Sequence, residues 1–211
     1  MVIAVDGPAA SGKGTLARRL ASFYGLGYLD TGSIYRGVGW LMLSQNLDPR
    51  HDEDAARLAK TFTLDAIAEA DIRTPDVGRA ASIIAAKPAV REALLSYQRD
   101  YASTPPGAIL DGRDIGTVVC PDALVKLFID ASLEARAERR WRELSARDAS
   151  ITLQAVLEDI RRRDARDSGR EAAPMRAAKD AVLLDTTQMD IDTVFAAACR
   201  VINRALEEKR A

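Results

Sequence analysis

The feature that most limits how this chain folds is a short apolar run at residues 2–5 followed at once by a glycine-rich loop at residues 7–15. A continuous apolar run of this length is typical of a buried parallel strand. Gly7 and Gly12 allow backbone N–H groups to turn inward around phosphate oxygens. The helix predicted after them, from about Lys13 to Phe23, directs its positive N-terminus at the same anion. The stretch therefore predicts a strand, a phosphate-binding loop (P-loop) and a helix.

The loop also indicates which nucleotide it binds. Lys13 places a mobile positive charge near the terminal phosphates and is a candidate catalytic residue. Position 14, where a Ser or Thr usually binds Mg²⁺, is Gly, and the hydroxyl follows at Thr15. This ending resembles nucleoside monophosphate kinases more than GTPases or motor ATPases, and the chain has no N-K-x-D motif for guanine. The predicted ATP-binding residues are Gly7, Pro8, Ala9, Ala10, Ser11, Gly12, Lys13, Gly14 and Thr15.

Further strands and helices alternate along the chain. Strands are predicted at residues 28–30, 108–111, 124–130 and 181–185. Helices are predicted at residues 34–43, with Thr31 or Ser33 at the start, and at 51–60, 74–87, 88–101, 132–144, 152–168 and 190–206, whereas residues 62–73 stay ambiguous. This alternation predicts an α/β fold: a P-loop three-layer α/β/α architecture with a central parallel sheet of about five strands.

The composition excludes several classes of protein. The net charge is −1 and the pI about 6.0, so no excess of positive charge favours nucleic acid or an anionic membrane as a partner. No apolar stretch is long enough to span a bilayer. The apolar run begins at residue 2 with no charged region before it, so we expect no secretory signal. We expect a cytoplasmic monomer that acts on small molecules.

Two charged stretches are candidates for an acceptor site. In I-L-D-G-R-D-I-G, residues 109–116, a predicted strand ends in Asp111 and is followed by Arg113 and Asp114. These three residues either belong to a site or form a polar turn. Arg36 follows the tight turn T-G-S and either clamps an acceptor phosphate opposite the P-loop or lies on the surface of a helix.

These motifs, taken in order, resemble those of the bacterial cytidylate kinases, which are P-loop nucleoside monophosphate kinases. The resemblance covers nearly the whole chain, and the block D-G-R-D-I-G-T-V-V is its most specific part. The matching segments are residues 6–15, 29–36, 72–75, 81–82, 90–95, 111–119, 128–132, 139–140, 163–167 and 170. The resemblance implies phosphoryl transfer from ATP to CMP or dCMP.

The family pattern also implies roles for individual residues in CMP binding. Ser82, Arg91 and Asp114 would contact the cytosine ring. Arg36 and Arg113 would hold the CMP phosphate, and Arg170 would contact the transferring phosphoryl group as a catalytic residue. The remaining CMP-binding residues are Thr31, Tyr35, Arg163 and Asp167. Spacing alone favours a different interpretation of residues 163, 167 and 170, a row of (i, i+4) ion pairs on a helix surface, and only the family pattern reverses it.

The family pattern further implies a lid over ATP and a metal site. Arg136, Arg139 and Arg140 share a helix face, and Arg139 and Arg140 are the catalytic arginines that a closing lid would bring to the phosphates. Residues 184–189 would lie against adenine. Asp111 would orient water molecules on Mg²⁺.

The pattern divides one kinase domain, residues 1–211, into three parts. The core is residues 1–30, 105–131 and 171–211; the acceptor-binding lobe is residues 31–104; and the lid is residues 132–170. Many bacterial cytidylate kinases carry a longer insert where residues 61–73 stand here, so we expect a reduced acceptor lobe. Two alternatives remain: a kinase directed to another nucleotide such as UMP, and a non-catalytic nucleotide-binding regulator.

Overall fold

A computed structural model describes residues 1–68 and 70–210. Its centre is a five-stranded sheet in the order β2-β3-β1-β4-β5, and every neighbouring pair is parallel. The strands are β1 (Val2–Asp6), β2 (Gly27–Asp30), β3 (Ala108–Gly112), β4 (Val125–Asp130) and β5 (Val182–Asp185). The predicted parallel sheet of about five strands is therefore confirmed.

Helices cover both faces of the sheet. They are α1 (Lys13–Tyr24), α2 (Thr31–Ser44), α3 (Asp52–Lys60), α4 (Pro75–Ile84), α5 (Pro88–Ser103), α6 (Leu133–Ser145), α7 (Leu153–Ser168) and α8 (Ile191–Arg210). One apolar core joins the sheet to α1 and α8, and a second joins its other face to α2, α3, α4 and α5. Because side chains alternate along a strand, Ile3 and Val5 enter the first core whereas Ala4 enters the second. A smaller cluster packs α6 against α7.

Some predicted boundaries differ from the observed ones. Helix α2 begins at Thr31, and its cap is Asp30, whose Oδ1 accepts a hydrogen bond of 3.1 Å from Ser33 N. Helix α4 ends at Ile84 rather than at Lys87, and Lys87, directly before Pro88, has the extended conformation that a following proline favours. In the ambiguous stretch, the described residues form a single 3₁₀ turn, Leu64–Ile67, and no strand.

The strand register brings the carboxyl ends of β1, β2 and β3 to one level. Asp111 of β3 lies opposite Val5 of β1 on one side and Asp30 of β2 on the other. In open parallel sheets, ligands bind beyond this edge of the strands. Among the described residues, no helix combines the length and the apolar character needed to cross a membrane.

Candidate active site

The loop after β1 has the geometry of a phosphate cradle. Gly7 has φ 147°, and a Cβ added there would lie 2.0 Å from Ile129 O, so only glycine fits. Gly12 has φ 88° and caps α1, whose first N–H groups have no side-chain cap and no acidic neighbour in the first turn. These N–H groups thus remain available to an anion at the positive end of the helix.

Lys13 is buried inside this loop. Its Nζ donates a hydrogen bond of 3.1 Å to Pro8 O. Burial and, to a smaller extent, the charge of Arg113 together lower the pKa of Lys13 to about 7, although Asp111 opposes the shift. An anion bound in the loop would restore the charged form of the lysine.

A cleft of about 520 Å³ opens beside the loop. Its lining includes most of the predicted site residues: Ala9, Ala10, Lys13, Gly14, Thr31, Tyr35, Arg36, Ser82, Arg91, Asp111, Arg113, Asp114, Arg140, Arg163, Asp167 and Arg170. The predicted residues outside this lining are Gly7, Pro8, Ser11, Gly12, Thr15 and Arg139. Thr15 in particular is exposed on the outer side of α1. The structure thus brings the two predicted nucleotide sites to one cleft.

Asp111 lines this cleft near the carboxyl end of β3. Its Oδ2 accepts a hydrogen bond of 2.8 Å from the Tyr28 hydroxyl, and its backbone oxygen accepts one of 2.8 Å from Thr31 Oγ1. A Cβ added at Gly14 would lie 3.0 Å from Asp111 Oδ2, so the glycine keeps space open beside the carboxylate. Burial, with the charge of Asp30, raises the pKa of Asp111 above its usual value.

Asp114 and Arg91 form a buried pair in the lining of the cleft. The guanidinium of Arg91 contacts Asp114 Oδ2, and the side chains of Arg91 and Asp114 are 11% and 7% exposed. Burial raises the pKa of Asp114, while Arg91 and Arg170 oppose the shift. A carboxylate in this position offers an acceptor to a ligand in a region from which most water is excluded.

Asp167 forms ion pairs with several arginines that line the cleft. It is 1% exposed, and its Oδ2 lies 2.9 Å from Arg113 Nε and 4.0 Å from Arg163 Nε. Arg170 also contacts its carboxylate, and Ser82 Oγ donates a hydrogen bond of 3.4 Å to it. Burial alone would raise the pKa of Asp167, but the neighbouring guanidinium groups hold it below its usual value. The ion pairs predicted by the alternative are present between Arg163 and Asp167 and between Arg170 and Asp167, but Asp167 is buried and does not lie on a helix surface.

Three arginines in the lining of the cleft have a hydrogen-bond donor with no acceptor among the described residues. Among the described residues, the Nε atoms of Arg36, Arg163 and Arg170 are buried without a hydrogen-bond partner. Arg36 is otherwise held by Asp30, with Nη2 2.6 Å from Oδ2. Buried polar groups are normally hydrogen-bonded, so free guanidinium donors around one cleft indicate that an anionic ligand completes the site.

The three arginines of α6 have different surroundings, although the sequence predicts one shared face. Arg136 is buried, and its Nη1 donates to Asp164 Oδ2 at 2.6 Å and to Ala9 O at 3.2 Å. Arg139 donates to Thr186 O at 2.5 Å, within the predicted adenine loop. Arg140 lines the cleft and pairs with Glu143 at 2.8 Å.

Sequence reasoning missed several cleft residues. Asp30 holds Arg36, and its position at the end of a predicted strand beside Asp111 was a signal that could have identified it. Tyr28, which holds Asp111, had no such signal. Arg73, Arg162 and Arg166 also line the cleft.

The parallel sheet, the phosphate loop and the arginine-lined cleft define a kinase of the P-loop class. The fold resembles that of a gluconokinase from Sinorhizobium meliloti 1021, with a TM-score of 0.54, 14% identity and coverage of 99% of this chain and 95% of that one. This likeness shows the fold alone.

Sequence comparison identifies the family. The cytidylate kinase family model matches residues 3–204. A cytidylate kinase from Xanthobacter autotrophicus is 56% identical over 204 residues, covering 96% of this chain and 97% of the relative. Another, from Granulibacter bethesdensis, is 53% identical over 204 residues, covering 97% of each. The chain belongs to the cytidylate kinase family.

Proposed function

We propose that the protein transfers the terminal phosphoryl group of ATP to CMP or dCMP, giving ADP and CDP or dCDP. The observation that carries the proposal is a single cleft whose lining includes Lys13 of the P-loop, the Asp114–Arg91 pair and several further arginines. Membership of the cytidylate kinase family supports the same reaction.

In this proposal the arginines align two anions and neutralise their charge. Arg36 and Arg113 hold the acceptor phosphate, Arg163 and Asp167 lie near the acceptor sugar and phosphate, and Arg170 contacts the transferring group. The free Nε donors of Arg36, Arg163 and Arg170 support these roles. No catalytic base is required, because the attacking phosphate is already an anion at neutral pH. Catalysis then depends on alignment and on electrostatic stabilisation.

The base would be selected by hydrogen-bond polarity. Arg91 contacts Oδ2 of Asp114, which leaves Oδ1 to accept from the 4-amino group of cytosine. Arg91 and Ser82 would donate to ring N3 and the 2-oxo group. Uracil carries an oxygen at position 4, so a buried carboxylate would face a second acceptor. An unpaired buried polar group rejects such a ligand more strongly than shape does.

The proposal includes Mg²⁺, oriented by Asp111 through water. Within residues 1–68 and 70–210, no group of three or more His, Cys, Asp or Glu side chains is placed to hold a metal ion. Mg²⁺ suits a sparse site, since it keeps several waters and binds one or two carboxylates together with substrate phosphates. The space that Gly14 leaves beside Asp111 fits this arrangement. When bound, the ion would neutralise charge on the phosphates.

The test is an ADP-release assay with CMP, dCMP, UMP and AMP as separate acceptors. We expect CMP and dCMP far ahead of UMP and AMP. Equal turnover of UMP would favour a kinase for another nucleotide, and ATP binding without CMP-dependent ADP would favour a non-catalytic regulator.

The proposal also includes a monomer in the cytoplasm, which sedimentation of the purified protein and fractionation of cells would test.

A further inference from the structure

The turn that follows Asp114 is held at its first end by a side chain of the P-loop strand. Residues Ile115–Val119 form a single π turn. Asp6, the last residue of β1, accepts hydrogen bonds of 2.8 Å from both Ile115 N and Gly116 N, one on each carboxylate oxygen. Asp6 is only 4% exposed. A buried carboxylate with two backbone donors fixes the direction of both peptide groups.

The other end of the turn is held by helix α5. Arg99 donates from Nε to Val119 O at 3.1 Å and from Nη2 to Val118 O at 3.0 Å. Arg99 lies eight residues after Arg91 on α5, slightly more than two helical turns further along the axis, so the two arginines leave the helix at different heights. The same helix therefore contacts the side chain of Asp114 through Arg91 and the far end of its turn through Arg99.

Asp114 has little freedom inside this frame. Its backbone oxygen accepts from Val118 N at 2.9 Å and from Val119 N at 3.2 Å. A Cβ added at Gly116 would lie 3.1 Å from the Lys126 side chain and 3.4 Å from Asp6 Oδ2, so the turn is packed closely against β1 and β4. With both ends of the turn fixed, the direction of the Asp114 side chain is fixed as well.

We infer that Asp6 and Arg99 are positioning residues for recognition of the acceptor base. Neither lines the cleft, and both act through the turn that carries Asp114. Because Asp6 directly precedes Gly7, it also links the ATP loop to the base-recognition end. The inference rests on the proposed function, since it assumes that Asp114 contacts cytosine.

The first test is the substitution Asp6→Asn. The amide oxygen of the new side chain would still accept a hydrogen bond from one of the two backbone N–H groups, Ile115 N or Gly116 N. Its NH₂ group would face the other N–H group, and two donors cannot form a hydrogen bond. We expect the ratio of kcat/KM for CMP over UMP to fall about tenfold, the value of one lost hydrogen bond, through a higher KM for CMP. The KM for ATP should change less than about twofold, as the loop residues themselves are unaltered. Burial raises the pKa of Asp6 to about 6, so assays at pH 8 keep the carboxylate ionised.

A second variant keeps the inference testable should Asp6→Asn fail to fold. Arg99→Gln removes the contacts with Val118 O and Val119 O at an exposed position. We expect the CMP over UMP ratio to fall about threefold, since these bonds are partly solvated, and Arg99→Lys to restore part of it. The matched control is Asp48→Asn, whose exposed carboxylate accepts from Arg50 N at 2.9 Å in a different loop and should leave the ratio unchanged.

The outcomes separate the inference from the proposed function. If the wild-type protein shows no preference for CMP, the proposed function fails and this inference fails with it. If the wild type prefers CMP, but Asp6→Asn and Arg99→Gln lower kcat/KM for CMP and UMP by the same factor, the inference alone is overturned. The same holds if Asp6→Asn raises only the KM for ATP, because Asp6 would then support the phosphate loop and nothing else.

Discussion

In the proposed function, Asp114 is the residue that selects the base of the acceptor. The side chain is buried, keeps its carboxylate beside Arg91 and has a raised pKa caused by burial. Its value in recognition comes from this environment, since an acceptor in a water-poor site must find a donor. The sequence placed Asp114 correctly after a strand, but only the family pattern assigned it to the base.

Substituting Asp114 with Asn should expose this role. We expect kcat/KM for CMP to fall by a factor that corresponds to a loss of about 2–3 kcal/mol of transition-state stabilisation, because the amide presents a donor where the 4-amino group also donates. Steady-state assays at saturating ATP measure the change. Asp192→Asn is the control, because Asp192 also pairs with an arginine, Arg19, but on an exposed surface. If kcat/KM stays the same, Asp114 is only a turn residue.

The lowered pKa of Lys13 predicts that the protein takes up protons when ATP binds. Its pKa is lowered to about 7, so it is mostly neutral at pH 8 and mostly charged at pH 6 in the free protein. A bound triphosphate favours the charged form, so binding should take up close to one proton at pH 8 and much less at pH 6. Calorimetry of a non-hydrolysable ATP analogue in buffers of different ionisation enthalpy measures the uptake.

The control for this measurement is Lys13→Arg. An arginine stays charged at both pH values, so the difference in proton uptake between pH 8 and pH 6 should disappear. Equal differences in the wild type and in Lys13→Arg would show that Lys13 does not titrate on binding.

At the scale of elements, the sequence predicted most of what is local or periodic. The run at residues 2–5, the glycine spacing of the P-loop and the cap at Thr74 each specify an element by short-range physics. The π turn Ile115–Val119 was not predicted, because its geometry depends on Asp6 and Arg99, which are far from it in the sequence. Such contacts leave no periodic signal.

The arginines of helix α6 also have contacts that sequence periodicity does not predict. Periodicity places Arg136, Arg139 and Arg140 near one face, but each long side chain finds a different partner: Asp164 on α7, Thr186 after β5, and Glu143 within the helix. A helical pattern fixes where a side chain starts, not where its charged end is held. Arg136 in particular joins α6, α7 and the P-loop carbonyl of Ala9.

The Arg136–Asp164 pair should therefore matter for stability. Arg136→Gln leaves a largely buried Asp164 carboxylate without its ion pair, so we expect the free energy of unfolding to fall by about 3 kcal/mol. Denaturant unfolding measures this. The matched control is Arg142→Gln on the same helix, whose exposed pair with Glu138 should cost less than about 1 kcal/mol. Equal losses in the two variants would contradict the structural role of Arg136.

At the scale of the whole molecule, the cleft depends on parts that are distant along the chain. The P-loop, the end of β3, helix α4 and helix α7 each supply part of the lining. The sequence alone left Arg36, Arg163 and Asp167 with two interpretations, and only their meeting around one cavity distinguishes a site from surface ion pairs. The proximity of these residues results from the sheet topology, so no single segment of the sequence predicts it.

Arg140 tests whether the lid takes part in catalysis. It lines the cleft from α6, and its partner Glu143 is half exposed. If it stabilises charge on the transferring group, Arg140→Gln should lower kcat about 100-fold and leave the Kd for CMP unchanged. Single-turnover kinetics and calorimetry separate the two effects, with Arg142→Gln as control. Weaker CMP binding with unchanged kcat would assign Arg140 to the acceptor.

The central claim is that the cleft moves a phosphoryl group from ATP to CMP and selects cytosine. The most direct measurement supplies ATP labelled with ¹⁸O in its terminal phosphoryl group, together with equal concentrations of CMP and UMP, and follows the label by mass spectrometry. The account predicts labelled CDP in large excess over labelled UDP, with little label in inorganic phosphate, since a kinase that closes over its substrates excludes water from the transferring group. Equal labelling of CDP and UDP, or label appearing mainly in inorganic phosphate, would contradict it.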